Sequence, residues 1–313
     1  MDSRQLAYFR QIVESGSMSG AARALGIAQP SLTQQTRNLE AMLGVELLVR
    51  TARGVVPTEA GQRLHGHACD IARSIEAARA DVVGLGSDLA GRVAFGMPAS
   101  VSMALSIPMA ETIRLERPRI RFCAAEAMSG HIKEWVLTGE VDLAILYDTD
   151  GIGDCPAEAI LHEDLWFYAG ADDWPFDTRP GVPVPLAAAL AQDLVLPSPR
   201  HGLRAFVDRM ARGRRLVPRV GTEMDSLSQI KSLVARGSGH TILSPAAVHD
   251  LTADGTLIGS PVVSPPLRRP IYLVRSARKP VTAASRAVED TCRVVVADLV
   301  RRGIWQAELP AAA

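Results

Sequence analysis

The feature that most constrains the fold is an early series of short helical patterns, divided by a glycine and a proline. The first pattern has apolar residues at helical spacing, at Leu6, Phe9 and Val13. The second contains the small pair Ala21 and Ala22, which lets another helix approach closely. Gly26 ends this second helix, and Pro30 stands where proline is favoured, at the first position of a third helix. This order predicts a helix-turn-helix.

The third helix has two chemically different sides. Its core side carries Leu32, Thr36, Leu39 and Leu43. Its outward side carries hydroxyls, amides and one guanidinium, which suit base edges in the major groove of DNA. We therefore predict DNA contacts from Gln29, Pro30, Ser31, Thr33, Gln34, Arg37 and Asn38. The solvated face of an ordinary amphipathic helix is the alternative.

A short hairpin is predicted after the third helix. Apolar segments at 45–50 and 55–57 flank a turn that contains Gly54, and two arginines, Arg50 and Arg53, stand on either side of the turn. Guanidinium groups placed there can reach the phosphates of DNA. Residues 1–57 are therefore predicted to form a winged helix-turn-helix domain, in which Arg50 and Arg53 hold the DNA backbone.

Residues 58–87 predict one long amphipathic helix, with residues 58–90 as linker and hinge. Its apolar residues alternate steps of four and three, as in the seam of a coiled coil. The seam consists of Leu64, Ala68, Ile71, Ile75, Ala78, Val82 and Leu85. The stripe is narrow and is surrounded by charge, which favours dimerisation over packing on its own chain. A dimer would double the number of phosphate contacts.

From residue 91 onward, short apolar strands alternate with helical segments, which is typical of an α/β fold with a parallel sheet. A first β-α-β-α-β unit is predicted over 91–163 and a second unit over 164–268. Residues 269–305 are predicted to return to the first unit, and 306–313 to be a C-terminal tail. The fold class is thus α/β, preceded by the winged helix-turn-helix and its linker helix.

Composition excludes several other classes of protein. The chain has 313 residues, 47% of them hydrophobic, and no net formal charge, so DNA contacts must come from locally placed basic residues. Its four cysteines include no CxxC pair, and we expect neither a metal site nor another cofactor. No apolar run is long enough to span a membrane and no secretory signal begins the chain, so a cytoplasmic protein is expected. No catalytic motif is present, which indicates a protein that is not an enzyme.

Residues 21–61 resemble the signature of the LysR-type transcriptional regulators, which are bacterial winged helix-turn-helix proteins. The shared features are the paired alanines, Gln29-Pro30-Ser31, Leu39-Glu40, Leu43-Gly44, Leu47, Arg50 and Thr58-Glu59-Ala60-Gly61. The chain length, the long helix and the α/β remainder also fit. The resemblance implies a two-lobed effector domain like a periplasmic binding protein, with its pocket between the lobes. It further implies that two dimers join as a tetramer, which bends promoter DNA and can contact RNA polymerase.

Hydroxyl and imidazole side chains follow the predicted strands, at the ends where ligands of parallel sheets bind. Two of them, Ser100 and Ser129, match positions that contact the inducer in the resembled family. The predicted effector contacts are Ser100, Ser102, Ser129, Ser198, His201 and Thr222. The alternative role of the serines is helix capping. We expect a small organic anion such as a carboxylate, to which Arg200 and Arg204 could add positive charge.

Two other functions remain open from the sequence. One is a DNA-binding repressor or architectural protein whose α/β half assembles oligomers without an effector. The other is an α/β enzyme fused to a DNA-binding module, which only the lack of catalytic motifs disfavours. The sequence does not indicate the promoter or whether the regulator activates or represses.

Overall fold

The computed structural model describes residues 1–51, 54–83 and 89–310. The chain divides into two compact units, Met1–Gly86 and Ser87–Ala313. The fold is mixed α/β, as predicted, with a helical unit first and an α/β unit after it. Within the described part, no helix is both long enough and apolar enough to cross a membrane.

The first unit contains three short helices, a hairpin and a long helix. These are α1 (Ser3–Ser15), α2 (Met18–Leu25), α3 (Gln29–Leu43), β1 (Leu48–Thr51), β2 (Gly54–Pro57) and α4 (Glu59–Val83). Asp2 and Ser17 cap α1 and α2, because their side chains accept hydrogen bonds from first-turn N–H groups at 2.8 and 3.2 Å. The core buries Phe9, Ile12, Ala21, Ala22, Leu32, Leu39, Leu47 and Val55.

Helix α3 differs from its prediction at both ends. It begins at Gln29, so Pro30 is its second residue rather than its first. Leu43, which the spacing predicts to face the core, is 39% exposed. The helix ends there at the left-handed turn of Gly44, and Leu47 beyond the turn fills the cluster with Leu39 instead. The predicted burial of Leu32, Thr36 and Leu39 is confirmed.

Helix α4 starts at Glu59, and Val83 is its last described residue. Thr58 precedes it and accepts a hydrogen bond from the Gly61 N–H at 3.0 Å. The first two seam residues pack within their own unit: Ala68 is buried, and Leu64 lies against the cluster of Phe9, Leu39 and Leu47. For these two positions the alternative of packing on the same chain is therefore the correct one, because α1 contacts this part of α4.

The rest of the seam differs from its first two residues. Ile71, Ile75 and Ala78 are exposed, the two isoleucines by 38% and 36%. Val82 lies in the last turn of α4, but its side chain, like Leu85 as a whole, lies outside the described residues. The exposed part of the seam therefore starts at Ile71.

The second unit contains two lobes. The first lobe is built on a six-stranded sheet with the order β14-β6-β13-β5-β3-β4. Its elements are β3 (Gly91–Pro98), α5 (Ala99–Glu116), β4 (Ile120–Ala127), α6 (Ser129–Thr138), β5 (Leu143–Leu146), β6 (Ala157–Asp164), β13 (Arg268–Arg275), α11 (Ala283–Arg301) and β14 (Ala307–Glu308). Strand β3 pairs in parallel with both β4 and β5, which confirms the predicted β-α-β-α-β order.

The second lobe has a four-stranded sheet with the order β11-β7-β12-β8 and a parallel pair, β9 and β10. Its elements are β7 (Trp166–Gly170), β8 (Val184–Pro185), α7 (Leu186–Leu190), β9 (Leu194–Leu196), α8 (Gly202–Arg212), β10 (Val220–Glu223), α9 (Leu227–Ala235), β11 (Thr241–Leu243), α10 (Pro245–Ala253) and β12 (Leu257–Val263). An apolar core separate from that of the first lobe lies around Phe167, Leu196 and Val207.

The chain crosses between the lobes twice, and the crossings lie side by side. Strand β6 leads out of the first lobe, and β13 leads back into it. The two strands pair antiparallel, with Glu163 opposite Arg269 and Asp164 opposite Arg268. Just beyond them, the Leu165 N–H donates to the Leu267 carbonyl at 2.9 Å. Any change in the angle between the lobes therefore acts on these few residues.

The predicted tail at 306–313 is not wholly irregular. Ala307 and Glu308 form β14, which pairs antiparallel with β6. Two further interactions hold the strand in place. Glu308 forms an ion pair with Arg268 at 2.9 Å, and the side chain of Trp305, which precedes the strand, is buried. Residues 311–313 lie outside the described residues.

Candidate functional site

The outward side of α3 is presented as the sequence predicts. Gln29, Pro30, Ser31, Gln34, Arg37 and Asn38 are exposed, and Thr33 is half-buried. Two contacts organise this face: the Thr33 hydroxyl donates to the Gln29 carbonyl at 3.0 Å, and Gln34 Nε2 donates to Asn38 Oδ1 at 2.9 Å. The face therefore offers amides, hydroxyls and the single cation Arg37, which suits hydrogen bonding to base edges.

The hairpin is fixed to the helices by a close backbone contact. The Val55 N–H donates to the Gly16 carbonyl at 2.8 Å, and a Cβ on Gly54 would lie only 2.3 Å from that same oxygen. Gly54 also has a φ of +134°, which other residues rarely adopt. Arg50 lies in β1 opposite Val55. Its side chain, and Arg53 as a whole, lie outside the described residues.

A cavity of about 490 Å³ lies between the two lobes of the second unit. The first lobe lines it with Ala99, Met103, Glu126, Ala127 and Met128. The second lobe lines it with His201, Asp225, Ser226, Leu227, Ser228, Lys231, Ser232, Asp250 and Leu251. Of the predicted effector residues, His201 is part of this lining. We call this cavity the cleft.

Ser129 lies at the edge of the cleft, where the two lobes touch. It is the first residue of α6 and directly follows Met128. A Cβ on Gly202, the first residue of α8, would lie 3.1 Å from the Ser129 hydroxyl. That hydroxyl is buried and has no hydrogen-bond partner among the described residues. The residue that caps α6 is Met128, so Ser129 does not have the alternative role of a cap.

Ser100 belongs to a buried polar cluster beside the cleft. Its hydroxyl is hydrogen-bonded to the Tyr147 hydroxyl. The Arg269 guanidinium lies 3.7 Å from the centre of the Tyr147 ring, a cation–π contact, and its Nη2 is 2.6 Å from Glu163 Oε1. Burial raises the pKa of Tyr147, so its hydroxyl remains a neutral hydrogen-bonding group. Ser100 is not a cap either, since α5 follows Pro98.

Glu163 is the acceptor at the centre of this cluster. Its Oε1 receives the Arg269 Nε at 2.7 Å, and its Oε2 receives the Ser244 hydroxyl at 2.6 Å and the Trp305 Nε1 at 2.9 Å. Arg269 and Glu163 are 3% and 1% exposed. Burial disfavours the charge of Arg269, but the attraction of Glu163 and Tyr147 and the hydrogen bonds to them together outweigh burial and raise the pKa of Arg269. Arg269 therefore keeps its positive charge in the interior.

His201 caps α8 and lines the cleft. Its Nδ1 accepts from the Leu203 N–H at 3.2 Å. Burial lowers the pKa of His201, the carboxylate of Asp225 opposes this shift, and the charge of Arg269 adds to it. The imidazole is therefore a neutral acceptor at the helix N-terminus near neutral pH.

The other predicted effector residues are engaged elsewhere. Ser198 donates its hydroxyl to Asp225 at 3.1 Å and its N–H at 2.8 Å, and these bonds lower the pKa of Asp225. Thr222 lies inside β10 rather than ahead of a helix, because that strand pairs with β9 as far as Glu223. Ser102 lies within α5, where its carbonyl accepts from the Ser106 hydroxyl at 2.6 Å.

The arginines suggested as additional cations differ in their surroundings. Arg204 bonds to Asp208 at 3.0 Å and to Glu223 at 2.9 Å, so its charge is already balanced. Arg200 is exposed. The cations that the sequence analysis missed are Arg269 and Lys231, and Lys231 is buried in the lining against Asp250 at 2.6 Å. For Lys231 the sequence does carry a signal, because this lysine stands beside Ile230 and three residues before Val234, on the buried side of α9.

Both units match known families. Residues 3–62 match the bacterial regulatory helix-turn-helix proteins of the lysR family, and residues 86–297 match the LysR substrate binding domain. This chain belongs to the LysR family of transcriptional regulators. The family assignment and its function as a transcriptional regulator confirm the prediction, and the two alternatives, an effector-free DNA-binding protein and an enzyme, are not favoured.

Several similar proteins match this LysR-family protein over nearly its full length. The nitrogen assimilation regulatory protein nac of Klebsiella aerogenes is 33% identical over 291 residues, covering 93% of each chain. The protein of the same name from Escherichia coli K12 is 32% identical and covers 98% of this chain and 99% of its own. Among solved structures, a full-length OxyR variant from Pseudomonas aeruginosa has a TM-score of 0.72 at 21% identity, covering 100% of this chain and 99% of its own.

A second solved structure is full-length CbnR in complex with its target DNA. Its TM-score is 0.63 at 22% identity, and the match covers 94% of this chain and 100% of that one. At this level of identity the likeness shows the fold. It agrees with the order of elements found here, from the winged helix-turn-helix to the two-lobed α/β domain.

Proposed function

We propose that this LysR-type regulator responds to a small organic anion, with a carboxylate as the preferred group, which binds between the lobes beside Ser129. The observation that carries the proposal is the Ser129 hydroxyl, which is buried without a partner among the described residues, against the first residue of α8. A buried hydroxyl that lacks a partner is costly in a folded protein, and a ligand that accepts its hydrogen bond would remove the cost.

Two helix N-termini support an anionic ligand. Helix α6 begins at Ser129 and its capping residue, Met128, provides no side-chain hydrogen bond to the first turn. Helix α5 begins at Ala99, which lines the cleft, and it also lacks a side-chain cap. The N–H groups of such turns, together with the helix dipole, favour a negative group.

The proposed contacts are Ser129 and Ser100 from the first lobe and His201 from the second. A ligand that accepts from Ser100 would compete with the Tyr147 hydroxyl, and the ring of Tyr147 stacks against Arg269. Arg269 and Glu163 stand on the strands that cross between the lobes, so a change at Ser100 reaches these strands through Tyr147. The ligand can shift the lobe angle only by binding one angle more tightly than another.

For DNA, we propose that Gln34, Asn38 and the other exposed residues of α3 contact base edges, while Arg50 and Arg53 of the wing contact phosphates. We further propose a dimer through Ile71, Ile75 and the following seam residues, and a tetramer of two dimers. RNA polymerase is a proposed partner at the promoter. As a DNA-binding regulator, the protein is proposed to act in the cytoplasm, and the names of the nac relatives make promoters of nitrogen assimilation the first to test.

A thermal-shift screen of small metabolite acids tests the effector proposal. The full-length protein is compared with Ser129→Leu, which fills the space beside Gly202, and with Thr138→Leu, an exposed site at the other end of α6. We expect at least one acid to raise the melting temperature of the wild type and of Thr138→Leu but not of Ser129→Leu. Equal stabilisation of all three proteins would place the ligand elsewhere.

A further inference from the structure

A cluster of metal-ligating side chains lies where the end of α1 meets α4. Glu14 is in the last turn of α1, and His65 and Cys69 are one helical turn apart on α4. One carboxylate oxygen, one imidazole nitrogen and the thiol sulfur all lie within 4.8 Å of one another. His65 and Cys69 are half-buried, and Glu14 is exposed. Three kinds of ligand atom thus converge on one point at the surface of the first unit.

The distances agree with coordination of a metal ion. Ligands bound at about 2.0–2.3 Å around a tetrahedral Zn²⁺ are themselves about 3.3–3.8 Å apart. The His65 Nε2 and Cys69 Sγ atoms are already 3.8 Å apart. The spacing of four residues on a helix brings both side chains to the same face. One carboxylate oxygen of Glu14 lies within 4.8 Å of both of these atoms.

The identity of the donors indicates the class of metal. A thiolate, an imidazole and a carboxylate together select a borderline-soft divalent cation and exclude Mg²⁺ and Ca²⁺, which prefer oxygen ligands. We propose that Glu14, His65 and Cys69 form a three-ligand site for a thiophilic divalent cation such as Zn²⁺, with the fourth position open to water. On binding, the Cys69 thiol releases its proton to solvent.

Glu14 is not held firmly by its present neighbour. The Arg10 Nε lies 3.3 Å from Glu14 Oε1. This nitrogen nevertheless makes no hydrogen bond with any described residue. The two side chains are 34% and 45% exposed, and ion pairs of that kind contribute little to stability. A divalent cation would therefore displace a weak interaction rather than a strong one, although Arg10 competes with it for the carboxylate.

Metal binding here would join the DNA-binding helices to the linker helix. Glu14 is one residue before the end of α1, and α4 already packs there through Leu64 and Ala68. A metal ion coordinated from both helices would fix the start of α4 to the domain that carries α3. A cation that binds only the folded unit raises its stability by mass action.

Zinc binding by the purified full-length protein, stripped of metal, tests the proposal. Competition with a chromophoric chelator gives the affinity and stoichiometry, and Co²⁺ substitution reports a thiolate ligand through its charge-transfer absorption. The site variants are Glu14→Gln, His65→Gln and Cys69→Ser. The matched controls are His67→Gln, exposed on the same helix, and Cys123→Ser in the second unit.

We expect one Zn²⁺ per chain, bound by the wild type and by both controls. Loss of a group that merely supports a metal ligand weakens binding about 10- to 100-fold, so removal of a ligand should weaken it at least about tenfold. Arg10→Gln, which removes the competing cation, should bind Zn²⁺ more tightly. The proposal is overturned if the wild type binds no Zn²⁺, or if the site variants, shown to be folded by circular dichroism, bind it as the wild type does.

Discussion

Arg269 and Glu163 form an ion pair, 2.6 Å between Nη2 and Oε1, across the two neighbouring strands by which the chain passes between the lobes. Both side chains are almost completely buried, and Glu163 also accepts from Ser244 of the second lobe and from Trp305 of the first. The crossing between the two lobes is thus organised around one carboxylate, which groups from both lobes hold in place.

The first prediction concerns the contribution of the Arg269–Glu163 ion pair to the stability of the fold. Arg269→Met leaves the Glu163 carboxylate buried without its charge partner, which should cost about 3–5 kcal/mol in the free energy of unfolding. Denaturant titration of the full-length protein measures this cost. Arg293→Met, which breaks the half-exposed pair with Glu158, should cost less than about 1 kcal/mol. Similar losses in the two variants would contradict a special role of the buried pair.

The second prediction concerns pH. Burial lowers the pKa of His201 below its ordinary value of 6.5, so the unfolded chain binds more protons than the folded chain as the pH falls below 6.5. Stability should therefore decrease with falling pH, from 6.5 down to the depressed pKa in the folded protein. His201→Gln should reduce this slope, as measured by thermal unfolding at a series of pH values. An unchanged slope would show that other groups cause it.

The third prediction separates base contacts from phosphate contacts. Gln34→Ala should weaken binding to the preferred operator while leaving binding to scrambled DNA unchanged, because the amide faces outward from the middle of α3. Arg53→Ala, assigned to the wing from the sequence, should weaken binding to every duplex and lower the salt slope by about one unit. Fluorescence anisotropy over a range of salt concentrations measures both. A uniform loss in Gln34→Ala would contradict a contact to bases.

The fourth prediction concerns dimerisation. Ile75→Asp places a charge on the exposed part of the seam that a partner helix must desolvate, so the protein should sediment as a smaller species. Val217→Asp is the control, because Val217 is 85% exposed on the second lobe, outside the seam. Analytical ultracentrifugation compares the two with the wild type. An unchanged profile for Ile75→Asp would contradict pairing through α4.

Local patterns allowed much of the fold to be predicted. The spacing of Leu32, Thr36 and Leu39 identified the buried side of α3, and hence its outward side. Short strands such as Leu194–Leu196 and Thr241–Leu243 are predictable at their observed bounds, because apolar runs between turns mark buried strands. The strand β6 is not predictable in this way, since polar residues crowd its apolar positions, with Glu158 on one side and His162, Glu163 and Asp164 on the other.

Contacts between distant parts of the chain could not be predicted in this way. Glu163 and Arg269 are 106 positions apart, and only the pairing of β6 with β13 brings them together. Glu14 approaches His65 and Cys69 only because α1 packs on α4, so no spacing in the sequence reveals the cluster. Ser129 was found through resemblance to a family, whereas its missing hydrogen-bond partner became visible only in the folded chain.

The most direct test of the central proposal is a calorimetric titration of the acid found by the screen into wild type and Gly202→Ala. The added Cβ would lie 3.1 Å from the Ser129 hydroxyl and would occupy the space where the ligand is proposed to bind. We predict that binding of the acid is lost or strongly weakened in Gly202→Ala, while its affinity for operator DNA without the acid is unchanged. Equal affinity of the two proteins for the acid would contradict an effector site between Ser129 and α8.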